Sequence, residues 1–188
     1  MNNYQQGNSS MQPEKIKPFI NSYWVIPGKF LAGSYPGLEN ILANRARLTK
    51  FLQAGIDRYF NLTRENELVP YDEILAEEAN LLQLPVIHQR FSITDRGLPS
   101  KVLMVELLDS IDAALDRGHK VYVHCWGGIG RTGTTVGCHL VRHGMSGREA
   151  LDNLASMYAT SGQSQFHPHS PETKEQVDFI LNWNEHGR

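Results

Sequence analysis

The stretch Lys120-Val121-Tyr122-Val123-His124-Cys125-Trp126-Gly127-Gly128-Ile129-Gly130-Arg131-Thr132-Gly133 decides the fold. Residues 120–124 form a short β-branched and aromatic run, the pattern of a buried strand. Gly127, Gly128 and Gly130 then let the backbone turn sharply. Residues 132–143 read as a helix. A strand that passes through a glycine turn into a helix is the repeating unit of an open α/β sheet, and such sheets bind ligands at that junction.

The chain on either side agrees with this reading. Upstream, residues 23–26 and 29–32 read as two short strands around Pro27-Gly28. Residues 33–37 follow as a loop, and Leu38, Ile41, Leu42, Leu48, Phe51 and Leu52 recur at helical spacing over residues 38–54, with Gly55 as the stop. Strands are expected over 56–62 and 85–91, with a helix over 71–82 between them and a polar loop over 92–99. Ser100 can cap a helix that ends at Gly118. Downstream, Ser146-Gly147-Arg148-Glu149 has the form of a capping box for a helix to about residue 160, and Pro171 suits the first position of a last helix to about residue 184. Strands alternating with helices predict an α/β fold with a central, mainly parallel sheet flanked by helices. Residues 1–18, rich in Asn, Gln, Ser and Pro, read as a flexible tail ahead of one domain over 19–188.

Composition excludes several classes. A net charge of -2 gives no global basic footprint for nucleic acid or an anionic membrane. No stretch approaches the roughly 20 apolar residues of a membrane helix, and the N-terminal residues lack a signal-peptide core. Only Cys125 and Cys138 occur, which rules out a disulfide-rich scaffold and suits a reducing compartment. The expectation is a cytoplasmic protein, with a monomer favoured.

The glycine loop carries the chemistry. Its converging amides and the positive end of the helix behind it form a cradle for a dianionic phosphate. Cys125 opens the loop and Arg131 closes it, so a nucleophile and a bidentate phosphate ligand share one anion-binding turn. A cysteine at a helix N-terminus and near a cation is favoured as the thiolate. A nucleotide-binding loop of the Walker type is excluded, because the Gly-Lys-Ser/Thr ending is missing.

These residues resemble the Cys-x5-Arg phosphatases: His124, Cys125, Gly128, Arg131 and Thr132 fill every fixed position of their His-Cys-x2-Gly-x2-Arg-Ser/Thr signature. The compact size and the segment GRTGTTVGCHLVRHG are similar to the dual-specificity branch of the protein tyrosine phosphatases, including cyclin-dependent-kinase-associated phosphatase and bacterial relatives. Stretches 24–37, 61–63, 67–71 and 170–172 with Gln176 look like the same family, so the resemblance spans nearly everything after the tail.

The resemblance implies a phosphotyrosine-phosphatase-like fold and a two-step, metal-free and cofactor-free hydrolysis. Cys125 would attack phosphorus while Arg131 and the amides of Trp126, Gly127, Gly128, Ile129 and Gly130 hold the oxygens. Asp95, thirty residues before the cysteine in Phe91-Ser92-Ile93-Thr94-Asp95-Arg96-Gly97-Leu98-Pro99, would be the general acid and then the base. Thr132 would hydrogen-bond the sulfur, and His124 would order the loop from behind. The implied substrate is a phosphorylated protein or peptide, phosphotyrosine first. The loop between Cys125 and Arg131 has no lysine, which disfavours polyphosphorylated inositols. A phosphatase of a non-protein monoester, a sulfurtransferase or arsenate reductase with a cysteine loop, and a non-catalytic phosphopeptide-binding module are the alternatives.

Other residues have plainer readings. Arg96 could contact substrate but reads better as an exposed loop arginine, Cys138 reads as core rather than a redox partner, and residues 167–169 read as a solvated loop. Gln176 either places the hydrolytic water or is an ordinary exposed helix residue. Trp126 either lines the pocket wall or packs under it. His139 and His143 have the i, i+4 spacing of a helical metal pair but no HExxH glutamate between them, so they read as a histidine pair without metal.

Overall fold

The computed structural model describes residues 16–185. Its five strands are β1 (Ser22–Ile26), β2 (Phe30–Gly33), β3 (Arg58–Asn61), β4 (Ile87–Arg90) and β5 (Val121–His124), in the spatial order β1-β2-β5-β3-β4. Among these, β1 and β2 pair antiparallel, and β2, β5, β3 and β4 are parallel neighbours. The sheet is therefore mainly parallel, as the alternation of elements implies.

Helices cover both faces. They are α1 (Ile41–Gln53), α2 (Asp72–Leu81), α3 (Lys101–Asp116), α4 (Gly130–Arg142), α5 (Gly147–Tyr158) and α6 (Lys174–Leu181), with a short 3-10 turn over Gly162–Gln165. Because side chains alternate along a strand, β5 feeds both cores. Val121 and Val123 pack with Met104, Leu107, Leu108, Ile111 and Val136 of α3 and α4. Tyr122 points the other way and joins Leu31, Leu48, Phe51, Tyr59 and Leu75 against α1 and α2. A strand buried on both faces needs this continuous apolar run, and all four residues of β5 are buried.

The turns follow the local chemistry. Gly28, Gly55 and Gly118 all have positive φ where a turn or helix stop was expected. Ser100 caps α3, its Oγ accepting from Leu103 N at 3.1 Å. Ser146 and Glu149 form the reciprocal capping box of α5.

Several boundaries differ from the sequence reading. The first helix starts at Ile41 rather than residue 38, because Asn40 is its cap. Helix α4 begins earlier than residue 132, at Gly130, so the end of the loop is already the first turn of the helix. Pro171 is not the first residue of the last helix. Thr173 and Gln176 make a capping box that starts α6 at Lys174, and Pro171 sits in the preceding loop after a cis peptide bond. The helix closes at Leu181, short of residue 184. Of the expected tail, residues 1–15 lie outside the described residues, and Lys17 is tied to the domain through the carbonyls of Ser22 and Thr160. No helix among the described residues is long and apolar enough to cross a membrane.

Candidate active site

Register places the candidate nucleophile, Cys125. His124, the last residue of β5, pairs with Gly33 of β2 on one side and Asn61 of β3 on the other. Cys125 therefore leaves the sheet at the carboxyl edge of its central strand. Two backbone bonds hold the exit: Leu62 N donates to His124 O at 2.8 Å and Tyr35 N donates to Trp126 O at 2.8 Å. Gly128 takes φ +73, and a Cβ there would lie 2.3 Å from the carbonyl carbon of Gly33. Only glycine allows the loop to turn back against β2 at this point. Its amide donates to Cys125 Sγ at 3.3 Å.

The helix behind the loop is left open. Asn40, Ser100, Ser146 and Thr173 cap α1, α3, α5 and α6 with side-chain oxygens, but Ile129 gives α4 no side-chain cap. The first amides of a helix have no carbonyl partner within it, and here they meet the cysteine loop, where an anion can satisfy them.

Arg131 lies on that first turn with its side chain buried, and its fork is held from one side. Nη1 and Nη2 donate to Glu67 Oε2 and Oε1 at 2.9 and 2.7 Å, Nη1 also donates to Ile93 O at 3.0 Å, and Nη2 donates to Asp95 Oδ1 at 2.9 Å. Burial disfavours the guanidinium charge, but Glu67 and Cys125 more than offset this and hold it protonated. Burial likewise pushes the Glu67 carboxyl up, and its bonds to Arg131 and to Arg64 N outweigh that, leaving it below its ordinary range. Arg131 Nε is buried with no partner. An unmet donor of this kind, next to a sulfur and an uncapped helix, is a place for a phosphate oxygen.

His124 is fully buried behind the loop, and burial pushes its imidazolium down to about 3, so the ring is neutral at physiological pH. A neutral ring has one N–H. Nδ1 faces the carbonyl of Cys125 at 3.3 Å, which can only accept, so Nδ1 carries the proton and Nε2 accepts from the Tyr71 hydroxyl at 2.6 Å. The ring stacks on Tyr122 and meets Tyr35 edge-on. His124 thus packs behind the loop with its ring held between the Cys125 carbonyl and the Tyr71 hydroxyl.

The remaining expectations fall as follows. Cys125, Trp126, Gly127, Ile129, Gly130, Arg131, Asp95 and Arg96 line one cavity of about 360 Å³, together with Gln163, His167 and Glu172. Trp126 stands 60% exposed at the rim, which answers whether it lines the wall or packs beneath. The Thr132 hydroxyl is buried and makes a long donation to Gly33 O at 3.5 Å, while the sulfur is met by Gly128 N–H instead. Gln176 is not an exposed helix residue: its Oε1 accepts from Glu172 and Thr173 amides, and its Nε2 donates to Gly97 O at 3.2 Å, tethering the Asp95 loop to α6. Cys138 is buried in the core, where burial pushes its thiol well up and keeps it unreactive.

Sequence reasoning assigned no role to Glu67 or Tyr71, although both lie in the stretch 67–71 that resembles the family. His167 lies in an exposed loop, as the sequence predicts, and also borders the cavity.

A buried thiol, an uncapped helix, an arginine with a spare donor and a rim carboxylate on this mainly parallel sheet define a phosphatase domain of the dual-specificity and tyrosine phosphatase class. The family model described as "Swiss Army Knife protein, DSP-PTPase phosphatase domain" (PTP-SAK) matches residues 20–180, and the chain belongs to that family. Among curated relatives it is 30% identical over 139 residues to protein tyrosine phosphatase domain-containing protein 1 of Mus musculus, covering 70% of this chain and 18% of the relative. The chain therefore spans about a fifth of the length of such relatives. Kinase associated phosphatase, solved with serine at its catalytic-site cysteine, shares the fold at a TM-score of 0.65 and 19% identity over 86% of this chain and 92% of that one. So does the catalytic core of the PP-IP phosphatase SIW14 of S. cerevisiae, at 0.63 and 16% over 91% and 90%.

Proposed function

We propose that the domain hydrolyses phosphotyrosine in proteins or peptides through a phosphocysteine intermediate. The observation that carries the reading is the meeting of Cys125 Sγ, the open amide end of α4, the unpaired Nε of Arg131 and Asp95 in one cavity of about 360 Å³.

In the first step the Cys125 thiolate forms a bond to phosphorus as the ester P–O bond breaks. The loop amides and Arg131 hold the three equatorial oxygens, and Asp95 delivers a proton to the departing phenolic oxygen. Asp95 rests on Arg131 Nη2 at 2.9 Å, and its side chain is 45% exposed, so it can exchange protons with solvent and swing to the substrate. In the second step water attacks phosphorus, Asp95 takes the water's proton, and the S–P bond breaks to release inorganic phosphate. The Thr132 hydroxyl, held only by its long bond to Gly33 O, then stabilises the departing thiolate.

Charge and shape support an aryl monophosphate. The cavity's cations are Arg131, held by Glu67, Arg96, paired to Glu172 at 3.2 Å, and His167 when protonated, against Asp95 and Glu172. That is a complement for one phosphate, not for several. Trp126 offers an exposed aromatic wall at the mouth. A metal or cofactor has no role in these steps.

The test compares phosphotyrosine peptides, phosphoserine peptides, an inositol polyphosphate and a phosphoinositide in excess chelator, with wild type and Cys125→Ser. The reading expects fastest turnover of phosphotyrosine and none by Cys125→Ser. Faster turnover of the inositol or lipid substrate would move the assignment to a non-protein phosphoester while leaving the cysteine chemistry intact. Full activity of Cys125→Ser would overturn the chemistry itself.

A further inference from the structure

His139 and His143 lie near the C-terminal end of α4, away from the active site, and the fold brings a third group to them. Asp112 of α3 places Oδ1 3.4 Å from His139 Nδ1 and 3.0 Å from His143 Nε2, and all three ligand atoms lie within 4.8 Å of one another. The histidine rings stand 4.3 Å apart, centroid to centroid. From these atoms we propose that Asp112, His139 and His143 form a binding site for a divalent transition-metal ion of the zinc type, which staples α3 to α4.

Two imidazoles and one carboxylate are ligands such an ion takes, with a fourth position left for water. Ligand atoms about 2.0–2.2 Å from a tetrahedral ion stand roughly 3.3 Å from each other. The two edges through Asp112 Oδ1 already have that length, and the third closes by turning His143, whose side chain is 55% exposed.

A second observation points the same way. The His139 side chain is only 4% exposed, and its Nδ1 has no hydrogen-bond partner, because the approach to Asp112 lacks hydrogen-bond geometry. A buried ring nitrogen aimed at a carboxylate and left unpaired is a costly arrangement that a metal would satisfy. The charges fit as well. Asp109, Asp112 and Glu185 gather on the single guanidinium of Arg142, which takes Asp112 Oδ2 at 3.0 Å and leaves Oδ1 to the histidines. An ion on Oδ1 would therefore leave the Asp112–Arg142 pair in place.

The placement gives the site a structural task. Helix α3 follows the Asp95 loop and α4 carries Arg131, so an ion here would fasten the helix behind the acid to the helix behind the nucleophile. It would stabilise the domain without entering the hydrolysis.

The experiment is calorimetric titration of zinc into the full chain in a non-chelating buffer, with thermal melts in parallel. Because the Cys125 thiolate is itself a zinc ligand, both are done in the Cys125→Ser background. One ion per chain and a rise of several degrees in Tm are expected. Adding His143→Ala, an exposed position that leaves the core intact, should weaken binding at least about tenfold and abolish the rise in Tm. Asp112→Asn should do the same. As a spectroscopic check, cobalt should give a visible tetrahedral absorption that the His143→Ala chain lacks. Absence of binding, or binding that His143→Ala leaves unchanged, would overturn the proposal.

Discussion

Cys125 and Asp95 face each other across one cavity, yet the structure holds them in opposite ways. Cys125 is 3% exposed, springs from the central strand, and its loop is pinned on both flanks by the backbones of Tyr35 and Leu62. Asp95 has a side chain 45% exposed, and beyond the backbone bond of Ile93 N to Leu62 O at 3.1 Å its loop is tied to the rest of the domain by side chains: Arg131 to Ile93 O, Gln176 to Gly97 O, and the surface pair Arg96 to Glu172. The difference matches the two tasks proposed for them. A nucleophile gains from a fixed geometry, since reorganisation is then already complete, whereas a group that gives a proton and later takes one must move between partners.

Removing the acid should separate the two regions most sharply. Asp95→Asn is expected to cut kcat on phosphotyrosine about 10²- to 10⁴-fold while Tm hardly moves, because the side chain is half-exposed and anchors little. The loss should shrink on an aryl phosphate whose leaving group needs no proton. A matching fall in Tm, or an equal loss on every leaving group, would mean that Asp95 is structural.

The fixed side should respond differently. Gly128→Ala forces a Cβ to within 2.3 Å of the Gly33 backbone at a position of φ +73, and neither partner is a flexible side-chain tip. The loop must shift, and a displacement of that kind costs about 10²-fold in rate. Here Tm should fall together with kcat. Loss of rate at unchanged Tm would show the cysteine loop to be as yielding as the acid loop.

Behind the fixed loop, Tyr71→Phe tests the support. It removes the donor to His124 Nε2 at 2.6 Å and leaves a buried nitrogen unpaired. A fall in kcat of about tenfold or less is expected, with KM little changed and a Tm lower by a few degrees. Unchanged values for both would remove Tyr71 from the positioning network.

The same contrast explains what the sequence could and could not disclose. The strand, glycine turn and helix over residues 121–142 were legible because each feature is local: a buried apolar run, glycines where the backbone turns, and a helix whose start carries Arg131. The mainly parallel character of the sheet followed from the alternation of strands and helices, whereas its strand order did not. Glu67, Tyr71 and Asp112 were not assigned because their partners stand 64, 53 and 31 residues away, and one sequence records no such pairing. The expected helix start at Pro171 differs from the structure for a local reason. Two start signals lie within six residues, and the Thr173 and Gln176 capping box, which satisfies backbone amides on both sides, prevailed over the proline.

The smallest expected effect concerns the bond that joins the two regions. Arg131 reaches both Asp95 and Glu67, and Glu67 holds it by two bonds at 2.9 and 2.7 Å. The Glu67 carboxyl is held below its ordinary value, so its contribution to stability is present above the ordinary carboxylate range and is lost as pH falls through the lowered value. Glu67→Gln keeps the shape and removes the titration. The Tm of wild type should therefore exceed that of the variant near neutral pH, and the gap should close as pH falls below the ordinary carboxylate range. A gap that stays constant over this range would show that Glu67 holds Arg131 by hydrogen bonding alone, with its charge contributing nothing to the fixed half of the site.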